Sequence, residues 1–318
     1  VGAALRAAAS RLAAAGIATP ELDAELLLRH VLGWDRATLL TRKDGEIAAP
    51  QLQRYEALVG ERALRRPLQH LVGTQAFWRH EFRVTPDVLI PRPETEILVE
   101  AALERLRPLA RPRIVDVGTG SGCIALSLAA ELPAATVFAT DVSAPALRVA
   151  RDNARRLGLE GRVTFHEGDL LGPVAAQEPF DLIASNPPYV DPADLSGLAP
   201  EVRDHEPRIA LVPPDDEPLS VYRRLVPQGW TALKPGGWLI LEIDVGRADD
   251  VREILLGRGF TLEPVEKDLQ QIPRVLIAQR PRRSPSRRAG RTRSRRPRVP
   301  GVVELRSDAR EVANPVAV

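Results

Sequence analysis

The stretch RIVDVGTGSGCIALSLAAEL, residues 113–132, decides the fold. Its first six residues, RIVDVG, read as a short buried strand built on Ile114, Val115 and Val117. Gly118, Gly120 and Gly122 follow at alternate positions, with Thr119 and Ser121 between them, and good helix formers begin at Cys123. Glycines let the backbone turn tightly and let a ligand approach it closely. The helix that follows directs unpaired amide N–H groups toward whatever sits there. The dinucleotide fingerprint G-x-G-x-x-G would need its third glycine at position 123, which is Cys123. The observed G-x-G-x-G is tighter and suits a ligand without a pyrophosphate. A purely structural strand-to-helix turn is the competing reading.

Outward from this stretch, strands and helices alternate. TVFATD (136–141), VTFHEGD (163–169), FDLIASN (180–186) and WLILEID (238–244) read as strands, and FTLEPVE and RVLIAQ as two more. SAPALRVARDNARRLG and RADDVREILLGRGF read as helices, and SVYRRLVPQGWTALKPGG as a helix interrupted near Pro227 and stopped at Gly236-Gly237. Such alternation predicts an α/β domain with a mainly parallel sheet covered on both faces. Ligands of these sheets bind at the carboxyl ends of the strands, where the strand order reverses. Asp141 ends the second strand and can accept both ribose hydroxyls of a nucleoside; a helix cap is its alternative role, although Ser143 can serve as the cap instead. Asp169 ends the third strand and can accept from an adenine amine, with Leu170 as an apolar edge. Together with Gly118 to Gly122 these strand ends describe a pocket for an adenosine-containing ligand. Cys123 reads as a small packing residue.

The fourth strand ends in Asn186-Pro187-Pro188-Tyr189. Proline locks φ and has no N–H, so this loop is stiff and offers carbonyl acceptors. The Asn186 side-chain oxygen and the Pro187 carbonyl can accept both hydrogens of one planar –NH2 group, and Tyr189 can stack on a flat substrate. Such a nitrogen is a poor nucleophile because its lone pair is delocalised. Two fixed acceptors would orient it toward an electrophile and stabilise the positive charge that develops. No Asp, Glu or His lies within the motif, so the proton leaves after transfer.

The rest of the 318-residue chain supplies context. Residues 1–70 read as a bundle of short helices, with breaks at RKDGEIAAP and Pro67. Residues 281–318 hold eleven arginines against three acids and read as a disordered basic tail. That segment carries +8 and the whole chain +2, so residues 1–280 carry −6. A protein that grips nucleic acid shows the opposite footprint, so direct nucleic-acid binding is not required. A single cysteine fits a reducing cytoplasm. The five histidines lack metal-ligand spacing, so no metal is expected, and no apolar run is long enough for a membrane span.

DVGTGSG, the strand-ending Asp141 and NPPY, in this order, resemble the class I S-adenosylmethionine-dependent methyltransferases that modify planar amino groups. RPLQHLVGTQAFWRHEFRVTPDVLIPRPETEILVE (66–100), PEVRDHEPRIAL (200–211) and DLQQIPRVLIAQ (268–279) narrow the resemblance to the release-factor glutamine methyltransferases. That family implies a Rossmann-like, doubly wound, mostly parallel seven-stranded sheet over residues 96–280, joined by a hairpin linker over residues 71–95 to an N-terminal helical domain that helps hold the protein substrate. It implies N5-methylation of the glutamine in the Gly-Gly-Gln motif of class 1 peptide-chain release factors, by a monomer. By this likeness Gly118 to Gly122, Asp141 and Asn186 bind the methyl donor, and Asn186, Pro187, Pro188 and Tyr189 hold the glutamine. Arg92 and Glu94 in PRPETE are candidates to touch the site, and EVRDHEP reads as a substrate-enclosing loop or a solvated one. Asp244 stands where the family pattern leads one to expect glycine. Two alternatives remain at this level: an amino-group methyltransferase of adenine or guanine in DNA or rRNA, and a non-catalytic module that binds S-adenosylmethionine.

Overall fold

The chain begins with five helices: α1 (Gly2–Ala14), α2 (Pro20–Leu32), α3 (Arg36–Thr41), α4 (Ala49–Ala63) and α5 (Leu68–Val72). Their boundaries follow local chemistry. Pro20 opens α2, and Gly33 closes it in the left-handed region. Asp35 caps α3 by accepting from the Thr38 amide at 2.7 Å. Leu12, Leu27, Leu28 and Tyr55 are buried together between the helices, and the Tyr55 hydroxyl donates to the Ala24 carbonyl at 3.1 Å. The computed structural model describes residues 1–177 and 179–282. The segment expected to be a disordered tail lies outside the described residues from position 283 onward.

A hairpin of β1 (Thr74–Phe77) and β2 (His80–Arg83) follows, then α6 (Thr95–Leu106). From there the chain alternates as β3 (Arg113–Val117), α7 (Cys123–Glu131), β4 (Thr136–Asp141), α8 (Ala144–Arg156), β5 (Val163–Glu167) and β6 (Phe180–Ser185). After two short helices, α9 (Pro200–His205) and α10 (Arg208–Leu211), come α11 (Ser220–Ala232), β7 (Leu233–Glu242) and α12 (Ala248–Arg258). The chain closes the sheet with β8 (Thr261–Leu262), β9 (Glu266–Lys267) and β10 (Pro273–Gln279). Seven strands lie side by side in the order β5-β4-β3-β6-β7-β10-β8, and β9 pairs with β10 off that path. The first five of these are parallel, and β10 runs antiparallel to β7. The class I methyltransferase topology expected from the sequence is therefore present.

Strands covered on both faces need apolar side chains at successive positions. β3 meets this need: Ile114 joins the core beneath α6 and α7, while Val115 and Val117 join the one beneath α11 and α12. The order of chain growth reverses between β3 and β6, so the crevice at their carboxyl ends is the place for a ligand.

Two local expectations differ. The helix over 220–237 is not interrupted at Pro227; it passes through that residue and ends at Ala232. The glycines form a bulge in β7 instead, where pairing with β6 jumps from Phe180↔Leu233 to Leu182↔Trp238. A Cβ on Gly237 would lie 3.1 Å from the Asp181 carbonyl oxygen, so the pair permits backbone approach rather than stopping a helix. The run FTLEPVE, expected as one strand, gives two two-residue strands separated around Pro264, which has no ladder N–H to give.

Candidate active site

The carboxyl ends of β3, β4, β5 and β6 border one cleft, with an empty volume of about 1110 Å³ that includes open solvent at its mouth. Gly118, Thr119, Gly120 and Ser121 line it together with Asp141, Asp169 and Leu170, and Asn186, Pro187 and Pro188 face it across the switch point. Gly122 and Tyr189 are not among its lining residues. The juxtaposition of the two loops is built in. Ser185 Oγ donates to the Val117 carbonyl at 2.8 Å, tying the end of β6 to the end of β3. As a result the Asn186 carbonyl oxygen lies 3.9 Å from where a Cβ on Gly118 would stand.

The three glycines do different work. All have positive φ: +73° at Gly118, +55° at Gly120 and +84° at Gly122. A side chain at Gly120 would meet nothing within 4 Å, so its position opens into the cleft. A Cβ at Gly122 would press on Leu126 Cδ1 at 3.0 Å and Ala150 Cβ at 3.2 Å. Gly122 therefore lets α7 pack against α8, and the ligand-facing part of the motif is Gly118–Ser121.

Asp141 accepts from the Gly120 amide at 2.8 Å and from the Ser143 amide at 2.9 Å. Burial raises its pKa, and these two backbone bonds oppose the rise. Ser143 caps α8 by accepting from the Ala146 amide, so the cap alternative for Asp141 falls away. A carboxylate has about four acceptor positions, so two remain for hydroxyls in the cleft. Asp169 is half-exposed and paired with Arg224, while Leu170 beside it is buried with φ +47°.

Asn186 is held by its nitrogen. Its Nδ2 donates to Thr95 Oγ1 at 3.3 Å, which turns Oδ1 the other way. Tyr189 packs against the core that contains Tyr222 and Leu225, and burial pushes its phenol well above its ordinary pKa. Of the two residues singled out in PRPETE, Arg92 lines the cleft and Glu94 does not; Thr95, which sequence reasoning passed over, does.

Several supporting residues gave no signal in the sequence. Asp116, inside β3, is fully buried and accepts from Thr119 Oγ1 at 2.7 Å and from the Ala125 amide at 3.2 Å, bracing both ends of the glycine loop. Burial pushes its carboxyl up to about 7. Asn153 of α8 accepts from the Arg83 amide at 2.7 Å and donates to the Ser121 carbonyl at 2.9 Å, linking hairpin to glycine loop.

The EVRDHEP run is a latch. Glu206 is buried and accepts from the Ile90 amide at 3.1 Å and from Arg92 Nη2 at 2.6 Å; burial raises its pKa and Arg92 draws it back. Glu201 accepts from Arg62 at 2.9 Å and Arg65 at 2.7 Å on the end of α4 and beyond it. Arg62 also donates to Asp23 of α2 at 2.7 Å. The solvated-loop alternative is excluded, because the run ties the helical bundle and the β2–α6 connection to the segment that follows NPPY. Asp244, the departure after LEI, turns its carboxylate onto the Val245 amide at 2.7 Å. Among the described residues no cluster of His, Cys, Asp and Glu could hold a metal ion, and no helix is long and apolar enough to cross a membrane.

Comparison with known proteins agrees with this geometry. A family model described as PrmC N-terminal domain matches residues 3–73, and one described as Methyltransferase small domain matches residues 93–199. The chain is 43% identical over 274 residues to the release factor glutamine methyltransferase of Koribacter versatilis (strain Ellin345), covering 86% of this chain and 96% of that protein. It is 45% identical over 278 residues to the enzyme of the same name from Moorella thermoacetica, covering 87% and 97%. The Deinococcus radiodurans protein of that name gives the same identity over the same length and coverage. With such identity running nearly end to end through relatives of one description, over a sheet and cleft of the matching type, the chain belongs to the release factor glutamine methyltransferase family.

Proposed function

We propose that this protein methylates the N5 amide nitrogen of the glutamine in the Gly-Gly-Gln motif of class 1 peptide-chain release factors, with S-adenosyl-L-methionine as donor. The observation that carries the reading is the Asn186 side chain, pinned through its nitrogen to Thr95 with its oxygen released, on a loop facing Gly118 across one cleft. The residues present fit an adenosine-bearing donor. Gly120 leaves its Cβ position open, a Cβ on Gly118 would only touch the Asn186 carbonyl oxygen, Asp141 keeps acceptor capacity for hydroxyls, and Leu170 adds an apolar wall. When bound, the donor supplies an electrophilic methyl group on a sulfonium.

The chain's own residues do the rest by orientation. Asn186 Oδ1 and the Pro187 carbonyl accept the two hydrogens of the glutamine amide, which fixes the plane of a weak nucleophile and favours the charge that builds on nitrogen. Pro187 and Pro188 hold those acceptors because their φ angles cannot relax, and the Tyr189 ring, packed on the core rather than lining the cleft, backs the loop. No general base is required of the motif, since the nitrogen becomes far more acidic once alkylated. The helical bundle, latched to the segment after NPPY through Arg62 and Arg65, serves as the wall that receives the release factor. The reading places the reaction in the cytoplasm, carried out by a monomer on a protein substrate without a requirement for nucleic acid.

The test is incubation with isotope-labelled S-adenosylmethionine and release factor, followed by peptide mass spectrometry. Label on the glutamine of Gly-Gly-Gln is the expected result. Asn186→Ala lowers turnover at least 100-fold with the thermal midpoint within a few degrees of wild type. Label on nucleic acid, or on no acceptor, overturns the assignment, and near-full turnover in Asn186→Ala removes that residue from the mechanism.

A further inference from the structure

An amide side chain works as an acceptor only if it is turned the right way round, because its oxygen and nitrogen ends are nearly the same size. Asn186 faces Thr95, a residue 2% exposed in the first turn of α6. The Thr95 side chain lies beside the carboxyl of Glu242, the last residue of β7, which is 3% exposed. These three positions converge through the fold. Ser185 of β6 pairs with Leu241 of β7, so Asn186 and Glu242 stand one step further along adjacent strands, and α6 lays Thr95 over both. The Glu242 backbone is itself fixed, its carbonyl accepting from the buried Tyr222 hydroxyl at 2.8 Å.

Resting on the function proposed above, we infer that Thr95 and Glu242 are positioning residues that set which end of the Asn186 amide faces the substrate. The chemistry is directional. While Glu242 is ionised, which burial confines to pH above about 7, its carboxylate only accepts, so the Thr95 hydroxyl gives its one proton to that side. What Thr95 then offers Asn186 is a lone pair, and only the –NH2 end can use it. The oxygen is thereby left for the glutamine nitrogen. Glu242 Oε2 has no hydrogen-bond partner, so nothing else competes for the carboxylate at that atom. Arg92 and Arg274 are the cations whose charge it feels, and Glu94 the anion. Without the hydroxyl the amide can present either end. Its nitrogen end would meet the substrate's hydrogens donor to donor.

Thr95→Val removes the hydroxyl while keeping shape, and Thr95→Ser restores it. The chain contains three asparagines, Asn153, Asn186 and Asn314. Selective 15N-asparagine labelling therefore leaves three side-chain amides, and Asn186→Ala assigns the relevant pair. In wild type and Thr95→Ser one Asn186 amide proton exchanges slowly; in Thr95→Val it exchanges at the rate of a solvated amide. Thr95→Val retains S-adenosylhomocysteine affinity within threefold and loses kcat on release factor at least 30-fold with KM little changed, and Thr95→Ser stays within threefold in kcat. Thr95→Ala reads the same contrast if the valine variant does not fold. An unchanged Asn186 amide in Thr95→Val overturns the inference, as does a serine variant as impaired as the valine one. A wild-type chain inactive on release factor, with the amide signal responding as described, overturns the functional reading and leaves the orienting contact standing.

Discussion

Two alanine substitutions in one motif, two residues apart, separate ligand approach from helix packing. At Gly122 the added Cβ meets Ala150 Cβ at 3.2 Å and Leu126 Cδ1 at 3.0 Å, in a backbone with φ +84°. The leucine methyl can rotate away, but the Ala150 carbon is fixed to the α8 backbone. Left-handed φ costs a non-glycine residue about 1–2 kcal/mol, and overpacking adds about 1–3 kcal/mol. Gly122→Ala should therefore destabilise by about 2–5 kcal/mol, a fall of roughly 3–8 °C in thermal midpoint for a chain of this size. At Gly120 the same methyl meets nothing within 4 Å, so only the backbone term of about 1–2 kcal/mol applies. That methyl stands in the cleft, and donor affinity should fall at least tenfold. Differential scanning calorimetry and isothermal titration with S-adenosylhomocysteine, run on both variants, read the two effects. The reasoning is refuted if Gly122→Ala melts with wild type, or if Gly120→Ala binds the nucleoside normally.

Other outcomes follow from the buried charges. Arg62→Met leaves Asp23 and Glu201 without their shared cation, with side chains 5% and 16% exposed, and should cost about 3–5 kcal/mol in urea denaturation; a loss under 1 kcal/mol would show the latch to be ornamental. Burial pushes the Glu242 carboxyl up to about 7, so the folded state holds a proton there that the unfolded chain releases near 4.5. Stability from this group is accordingly lost as pH rises between those values, and wild type should fall by about 2 kcal/mol relative to Glu242→Gln between pH 5 and 8; parallel stability curves would contradict this. Cys123 is buried, and burial pushes its thiol up to about 12, so iodoacetamide at pH 8 should leave the native protein unlabelled over hours while labelling it fully in denaturant.

Much of the cleft could be read from residues that end strands. Gly118, Asp141, Asp169 and Asn186 each stand at or just past the end of a strand, and parallel strands bring such endings to one edge whatever the intervening helices contain. Thr95 was less accessible to that reading. It directly follows Glu94, the residue that attracted attention, and its importance depends on β7, whose partner position is set by sheet order rather than by proximity in the chain. The run EVRDHEP was noticed as an enclosing or solvated loop, but the pairings of Glu201 and Glu206 could not be read, because their partners Arg65 and Arg92 lie 136 and 114 residues away. The helix expected to reach Gly236-Gly237 failed on a local ambiguity, since glycines that stop a helix and glycines that open a bulge look alike before the pairing with Phe180 is known.

The latch at Glu201 and Glu206 bears on how far this catalyst can be divided. The stretch that matches the methyltransferase family model begins at residue 93, which invites excision of a portable fragment from that point. Such a fragment would keep the nucleoside end of the cleft. It would also carry both glutamates with no counter-charge from positions 62, 65 or 92, and the chain beyond Val190 would lose the struts that seat it. The amino-terminal helices are thus more than an accessory: the stretch after NPPY is bolted to them through Glu201, and cutting between the two would leave that stretch unanchored beside an otherwise intact nucleoside end.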